Sequence, residues 1–186
     1  MKDKRELRQQ ILKQRSQLNE VEVSYKSDLI AKKVINQLEF ITASTIYIYI
    51  DYRQEVSTQS IIETAWQLNK TVAVPKIIEG EMKFYKIDSF DELVPGTFGI
   101  LEPTSNKCVI KNEGLMIMPG VAFDSSCHRI GYGKGFYDRY LNMYPQLDTI
   151  ALAFDLQIIE EIEVEAHDIC PQYIITESQS FHQKKE

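Results

Sequence analysis

The amino-acid sequence predicts a three-layer α/β/α fold with a mainly parallel central sheet, built as a single domain over residues 1–186. Three observations carry that expectation. Short β-branched and aromatic runs alternate with amphipathic helical patterns, the order that buries a parallel sheet between two layers of helices. A length of 186 residues suits one well-buried core and is short for two. Three of the eight glycines, Gly131, Gly133 and Gly135, fall between a strand pattern and a helix pattern, where open α/β sheets bind their ligands.

Taken in order, residues 3–19 predict a basic N-terminal helix, with Leu7, Ile11, Leu12 and Leu18 near helical spacing and Asn19 as its stop. A second helix is expected over 24–38, where Leu29, Ile30, Val34 and Leu38 make one apolar stripe. Strands are expected over 45–50, 71–74, 83–87, 115–118, 149–154 and 173–176. Between them, residues 57–68 turn Ile61, Ile62, Ala65 and Leu68 inward, and residues 136–144 do the same with Phe136, Tyr137, Tyr140, Leu141 and Tyr144. Residues 77–112 break the alternation. Strand 83–87 follows 71–74 across a short connection holding Gly80, which predicts a hairpin or edge insertion, and Pro95, Gly96, Gly99 and Pro103 make the next stretch loop-rich. Residues 179–186 form a polar C-terminal tail expected to fray.

The net charge of −6 argues against a general nucleic-acid binder, which needs a basic surface to displace counterions. Residues 1–15 run against that average: six basic side chains (Lys2, Lys4, Arg5, Arg8, Lys13, Arg15) oppose Asp3 and Glu6, a local +4 that leaves −10 for the rest. Such a run ordinarily means a solvated helix face. Lys4 and Arg8 nevertheless lie one helical turn apart and point the same way, as a clamp on a phosphate tail would require. Cys108, Cys127 and Cys170 are odd in number and lack CxxC spacing, which fits packing residues in a reduced compartment. The charged N-terminus has no secretory core, and the longest apolar runs, such as 46–50, are too short to span a bilayer, so a cytoplasmic location is expected.

The glycine cluster reads Gly-Tyr-Gly-Lys-Gly-Phe-Tyr-Asp, which is neither GxGxxG nor a P-loop. Glycines before a helix let backbone N–H groups approach phosphate oxygens, and Arg129 and Lys134 add positive charge. Spacing alone is equally compatible with a glycine-rich turn carrying a solvated lysine. Asp138, in the first turn of the helix, suits either a magnesium ion shared with phosphates or a simple partner for the helix dipole.

Residues 118–141, MPGVAFDSSCHRIGYGKGFYDRYL, resemble the signature of the 5-formyltetrahydrofolate cyclo-ligase family. Further matches follow in order: KRELR at 4–8, QEVST at 54–58, FGILEP at 98–103, ALAFD at 151–155 and EAHD at 165–168. The resemblance covers nearly the whole chain and implies an ATP- and magnesium-dependent enzyme that converts 5-formyltetrahydrofolate to 5,10-methenyltetrahydrofolate, releasing ADP and phosphate. It further implies that Lys4, Arg5 and Arg8 reach ATP phosphates and that Arg129, Ile130, Gly131, Tyr132, Gly133, Lys134, Gly135, Phe136 and Tyr137 wrap the nucleotide. In that scheme Lys134 and Arg129 stabilise the charge that develops in transfer. Asp138 and Asp168 would hold Mg2+. Ile50, Glu55, Phe98, Tyr132 and Tyr137 would meet the folate, with Glu55 accepting hydrogen bonds from the pterin. Phe98 stands where some relatives carry tryptophan, and Lys134 and Phe136 occupy positions that vary.

His167 is expected to orient a neighbour, and His128 and His182 read as surface residues. The partners expected are 5-formyltetrahydrofolate and ATP, with no nucleic acid and no membrane, and the chain is expected as a monomer or weak homodimer. Three other functions fit parts of the pattern. A sugar-phosphate isomerase or transferase would need no ATP, a nucleotide-sensing module would bind without turnover, and a weak nucleic-acid binder would show steep salt dependence.

Overall fold

The computed structural model describes residues 3–96, 99–110, 113–165 and 168–183. The chain begins with α1 (Lys4–Arg15), whose N-cap Asp3 accepts from the Arg5 N–H, and continues into α2 (Glu20–Val34). Asn19 is a start and not a stop. Its side chain accepts from the Glu22 N–H while the Glu22 carboxylate accepts from the Asn19 N–H, a capping box that begins α2 ahead of the expected residue 24. Leu38 does not end that helix but opens a separate short one, α3 (Leu38–Thr42).

There follow β1 (Thr45–Ile48), α4 (Gln59–Gln67), β2 (Thr71–Ile78), β3 (Glu81–Ile87), β4 (Leu93–Pro95), β5 (Leu101–Pro103) and β6 (Leu115–Met118). The chain then forms β7 (Ala122–Phe123), β8 (Arg129–Ile130), α5 (Phe136–Met143), β9 (Asp148–Leu152), β10 (Tyr173–Ile175) and β11 (Ser180–His182). The six expected strands are all present. The expected hairpin is β2–β3, turned by Glu79 and Gly80 at φ 51° and 80°, the left-handed pair that a two-residue loop needs between twisted strands. The polar tail is a correction: Ser180–His182 pairs antiparallel with β10, because Phe181 supplies an apolar side chain that packs on the core, and only 184–186 lie outside the described residues at that end.

Seven strands form one sheet in the order β11-β10-β9-β6-β1-β2-β3. The inner pairings, β10–β9, β9–β6, β6–β1 and β1–β2, are parallel, and an antiparallel strand closes each edge. Strands covered on both faces need apolar side chains at successive positions, and all residues of β1 and β6 are buried. Alternate side chains enter two cores. Ile46, Ile48, Leu115 and Ile117 face Ile30 and Val34 of α2, Phe40 of α3, and Ile61, Ile62 and Ala65 of α4. Tyr47, Met116 and Met118 face Phe84, Tyr140 and Leu141 on the other side, where Tyr47 meets Phe84 edge-on at 5.3 Å and Phe84 meets Tyr140 at 4.9 Å. The three layers are therefore α2–α4, the sheet, and α5 with the β7–β8 hairpin.

The connection from β1 runs through α4 to β2 on one side, whereas β6 adds on the other side and continues through α5. The loops leaving the carboxyl ends of β1 and β6 consequently diverge. In doubly wound sheets this switch point is where a crevice opens. No helix among the described residues is long and apolar enough to cross a membrane.

Candidate active site

A cleft of about 910 Å3 lies at that switch point. One wall is α1. Ile11 packs with Val121, Ala122, Ile130 and Ile162, and this anchor turns Lys4, Arg8, Leu12 and Arg15 toward the cleft on one helical stripe. The loop after β1 supplies a second wall, residues 129–139 a third, and Pro75, Ile77, Met82, Ile100 and Glu102 an apolar flank with one carboxylate.

Hydrogen bonds from side chains staple the loop after β1. The buried Tyr49 hydroxyl donates to the Val56 carbonyl at 2.8 Å, the Thr58 hydroxyl to the Tyr49 carbonyl at 2.9 Å, and the Thr58 N–H to Asp51 at 2.9 Å. Between the staples Arg53 and Gln54 sit at φ 46° and 51°, a left-handed pair that non-glycine residues rarely adopt. Their consequence is the aim of Glu55, whose Oε2 accepts from the Tyr52 N–H at 2.8 Å and whose Oε1 accepts from the Tyr132 hydroxyl. Burial raises the pKa of Glu55, while the Tyr132 hydroxyl, Arg15 and the Tyr52 N–H act in the opposite direction. Burial, reinforced by the Glu55 charge, also pushes up the phenols of Tyr49, Tyr132 and Tyr137, so all three stay protonated donors.

The glycine segment is built differently. Gly133 and Gly135 hold φ 91° and 64°, and Gly135 is the N-cap of α5. Cations secure its carbonyls: Arg8 Nε donates to Gly131 at 2.9 Å and Arg139 to Lys134 at 2.8 Å. Next to it, the buried Arg129 guanidinium pairs with Asp138 at 2.7 Å, and Asp138 Oδ1 also accepts from the Ile169 N–H at 3.2 Å. Lys4 pairs with Asp168 at 2.7 Å and Glu165 at 3.0 Å. Burial alone would lower the Lys4 pKa, and these two carboxylates outweigh it and hold the group above its ordinary value.

Of the residues singled out in the sequence, Lys4, Arg8, Ile50, Glu55, Arg129, Ile130, Gly131, Tyr132, Gly133, Lys134, Gly135, Phe136, Tyr137, Asp138 and Asp168 all line this one cleft. Arg5 does not. A step of one residue rotates a side chain about 100° around a helix, and Arg5 faces solvent away from the Lys4–Arg8 stripe. Phe98 and His167 lie outside the described residues. His128 is not a free surface residue: its Nδ1 is 2.8 Å from the buried carboxylate of Asp124, which also accepts from the backbone N–H groups of Ser126, His128 and Ile162. Sequence reasoning missed Arg15, Tyr49, Tyr52 and Arg139 in the lining. The Lys4–Arg8 spacing, carried on through Leu12, would have found Arg15.

Among the described residues, no group of three or more His, Cys, Asp or Glu side chains gathers as a metal centre. The fold and the cleft define a doubly wound α/β enzyme that sets a cationic glycine loop opposite a partly buried carboxylate. Residues 1–177 match the profile of the 5-formyltetrahydrofolate cyclo-ligase family, and the chain belongs to that family. It is 30% identical over 156 residues to the 5-formyltetrahydrofolate cyclo-ligase of Escherichia coli (strain K12), covering 80% of this chain and 86% of that one. It is 30% identical over 183 residues to the 5-formyltetrahydrofolate cyclo-ligase of Mus musculus, covering 89% of each. The solved 5,10-methenyltetrahydrofolate synthetase of Aquifex aeolicus superposes with a TM-score of 0.86 at 28% identity, covering 98% of this chain and 94% of that one.

Proposed function

We propose that the cleft couples ATP hydrolysis to ring closure, converting 5-formyltetrahydrofolate to 5,10-methenyltetrahydrofolate with release of ADP and phosphate. One observation carries the proposal: Lys4 and Arg8, the 129–138 segment and Glu55, far apart in the sequence, converge on the same space. The formyl oxygen attacks the terminal phosphoryl group and ADP leaves. Nitrogen 10 then adds to the formyl carbon and gives up its proton. The C–O bond breaks, so the former formyl oxygen departs with inorganic phosphate and the methenyl bridge remains.

This route asks for positioning and charge neutralisation and for no covalent nucleophile. Arg8, Arg129 and Lys134 neutralise the phosphates, with Lys134 nearest in role to the charge that builds on transfer. The glycine backbone permits close approach of phosphate oxygens. Glu55 accepts from the pterin amino and ring N–H groups, and Ile50 offers apolar surface in the same cleft.

Asp138 and Asp168 fit a magnesium ion held jointly with nucleotide phosphates, because such an ion takes one or two carboxylates and completes its shell with phosphate and water oxygens. Asp138 accepts from the N–H of Ile169, the residue after Asp168, so the two carboxylates belong to adjoining backbone. When bound, the ion would supply charge neutralisation at the phosphates, and Arg129 and Lys4 would exchange their carboxylate partners for phosphate oxygens.

The test is ultraviolet absorbance in the methenyltetrahydrofolate band, with purified protein, 5-formyltetrahydrofolate and Mg2+, with and without ATP. A rise that requires ATP supports the proposal. No rise from folded protein that still binds ATP would transfer the cleft to nucleotide sensing.

A further inference from the structure

Arg15 is an unusual residue for the last turn of an exposed basic helix. Only 4% of its surface is accessible, and its guanidinium is divided between the Tyr132 hydroxyl at 2.9 Å and the Arg53 carbonyl at 3.3 Å. Those partners come from two different walls of the cleft, and Glu55, two residues after Arg53, accepts from the Tyr132 hydroxyl. Hydrogen-bond polarity then fixes the chain. A guanidinium donates and never accepts, so the Tyr132 oxygen accepts from Arg15 and its single proton is left for Glu55 Oε1. On the other branch, the bond to the Arg53 carbonyl ties down the left-handed pair that precedes Glu55.

Resting on the reading of Glu55 as the pterin-binding carboxylate, we propose that Arg15 is its positioning residue, directing the Tyr132 hydroxyl and the Arg53 backbone so that Glu55 presents its remaining lone pairs to the folate. Arg15 itself touches neither reacting atom. Its guanidinium also faces Glu55 as a nearby cation. The other groups around Glu55 are Tyr132 and Tyr137 from the glycine segment and α5, and Tyr49, Asp51 and Tyr52 from its own loop. Burial and Asp51 raise the Glu55 pKa, while the Tyr132 hydroxyl, Arg15 and the Tyr52 N–H lower it; Arg53, Arg129, Arg8 and Lys134 are further cations of the same cleft.

The experiment compares Arg15→Gln, Arg15→Lys, Tyr132→Phe and the Arg15→Gln/Tyr132→Phe double variant with wild type, after thermal unfolding has established that each is folded. Turnover is measured against pH, and equilibrium binding of 5-formyltetrahydrofolate is measured alongside it. Arg15→Gln is expected to raise the KM and Kd for the folate about tenfold, the loss of one well-placed charge-assisted contact, while the KM for ATP stays within about twofold. The acid limb of kcat/KM should move to higher pH with the cation gone, and Arg15→Lys should recover part of both effects. The double variant should lose less than the product of the two single losses, because the Tyr132 hydroxyl is shared by both. Wild-type folate affinity and an unmoved acid limb in folded Arg15→Gln would overturn the proposal, as would strict additivity in the double variant. Should Arg15→Gln not fold, unchanged folate binding in both Arg15→Lys and Tyr132→Phe would overturn it equally. Wild-type protein that binds the folate but lacks ATP-dependent turnover would instead sink the cyclo-ligase reading.

Discussion

The two loops that face each other across the cleft solve the same geometric problem with opposite materials. Both need left-handed backbone. The 131–135 segment meets that need with glycines, for which it costs little, and is secured at its carbonyls by Arg8 and Arg139. The 49–58 loop has no glycine, forces Arg53 and Gln54 into the same region, and holds them with side-chain staples from Tyr49, Asp51, Thr58 and Arg15. Under the proposed function the difference suits each loop to its partner: glycines would leave N–H groups free to approach phosphates, while the stapled loop would hold one carboxylate in one direction for the pterin edge.

The largest effect is expected where the glycine segment enters α5. Asp138→Ala leaves the Arg129 guanidinium without its carboxylate and removes the proposed magnesium ligand, and turnover should fall by about a hundredfold or more in folded protein. ATP-dependent rates near wild type would remove Asp138 from the machinery.

Smaller and opposite effects should separate the loops themselves. Gly133→Val puts a β-branched residue at φ 91° and should raise the KM for ATP about tenfold or lower stability by about 1–2 kcal/mol. Arg53→Gly relieves strain, at some cost in unfolded-chain entropy, and should leave stability within about 1 kcal/mol of wild type. Steady-state kinetics with thermal melts would decide the point, and equal damage from both changes would break the contrast.

The smallest effect is a pH-dependent gain. The folded-state pKa of Glu55 lies above its ordinary 4.5, so the folded protein holds that proton more tightly than the unfolded chain does. Its contribution to stability therefore falls as pH rises from about 4.5 through the raised value, and then levels off. Glu55→Gln removes that slope. It should be more stable than wild type at neutral pH and closely matched near pH 4, while binding the folate more weakly. Denaturant titrations at both pH values test this, and a variant less stable at pH 7 would contradict it.

The same contrast explains what the sequence disclosed. Six strands were legible as β-branched runs set between helical patterns, and the glycine segment from its place between a strand pattern and a helix pattern. The β7 and β8 strands were not, since Ala122–Phe123 and Arg129–Ile130 are too short for periodicity. The left-handed turn at Arg53 and Gln54 was hidden because nothing in those residue types marks it. Arg15 was hidden for a related reason: a buried arginine and a solvated one are the same letter, and only its recurrence on the Lys4–Arg8 face separates them. Asn19 was misassigned because a helix cap reads the same from either side until the partner, Glu22, is considered.

The most direct test of the central claim, that the cleft activates the formyl oxygen by phosphoryl transfer, is to run the reaction with 18O in the formyl group of 5-formyltetrahydrofolate and analyse the released phosphate by mass. The expected result is one 18O in each phosphate formed with methenyltetrahydrofolate. Unlabelled phosphate accompanying the same product would contradict it.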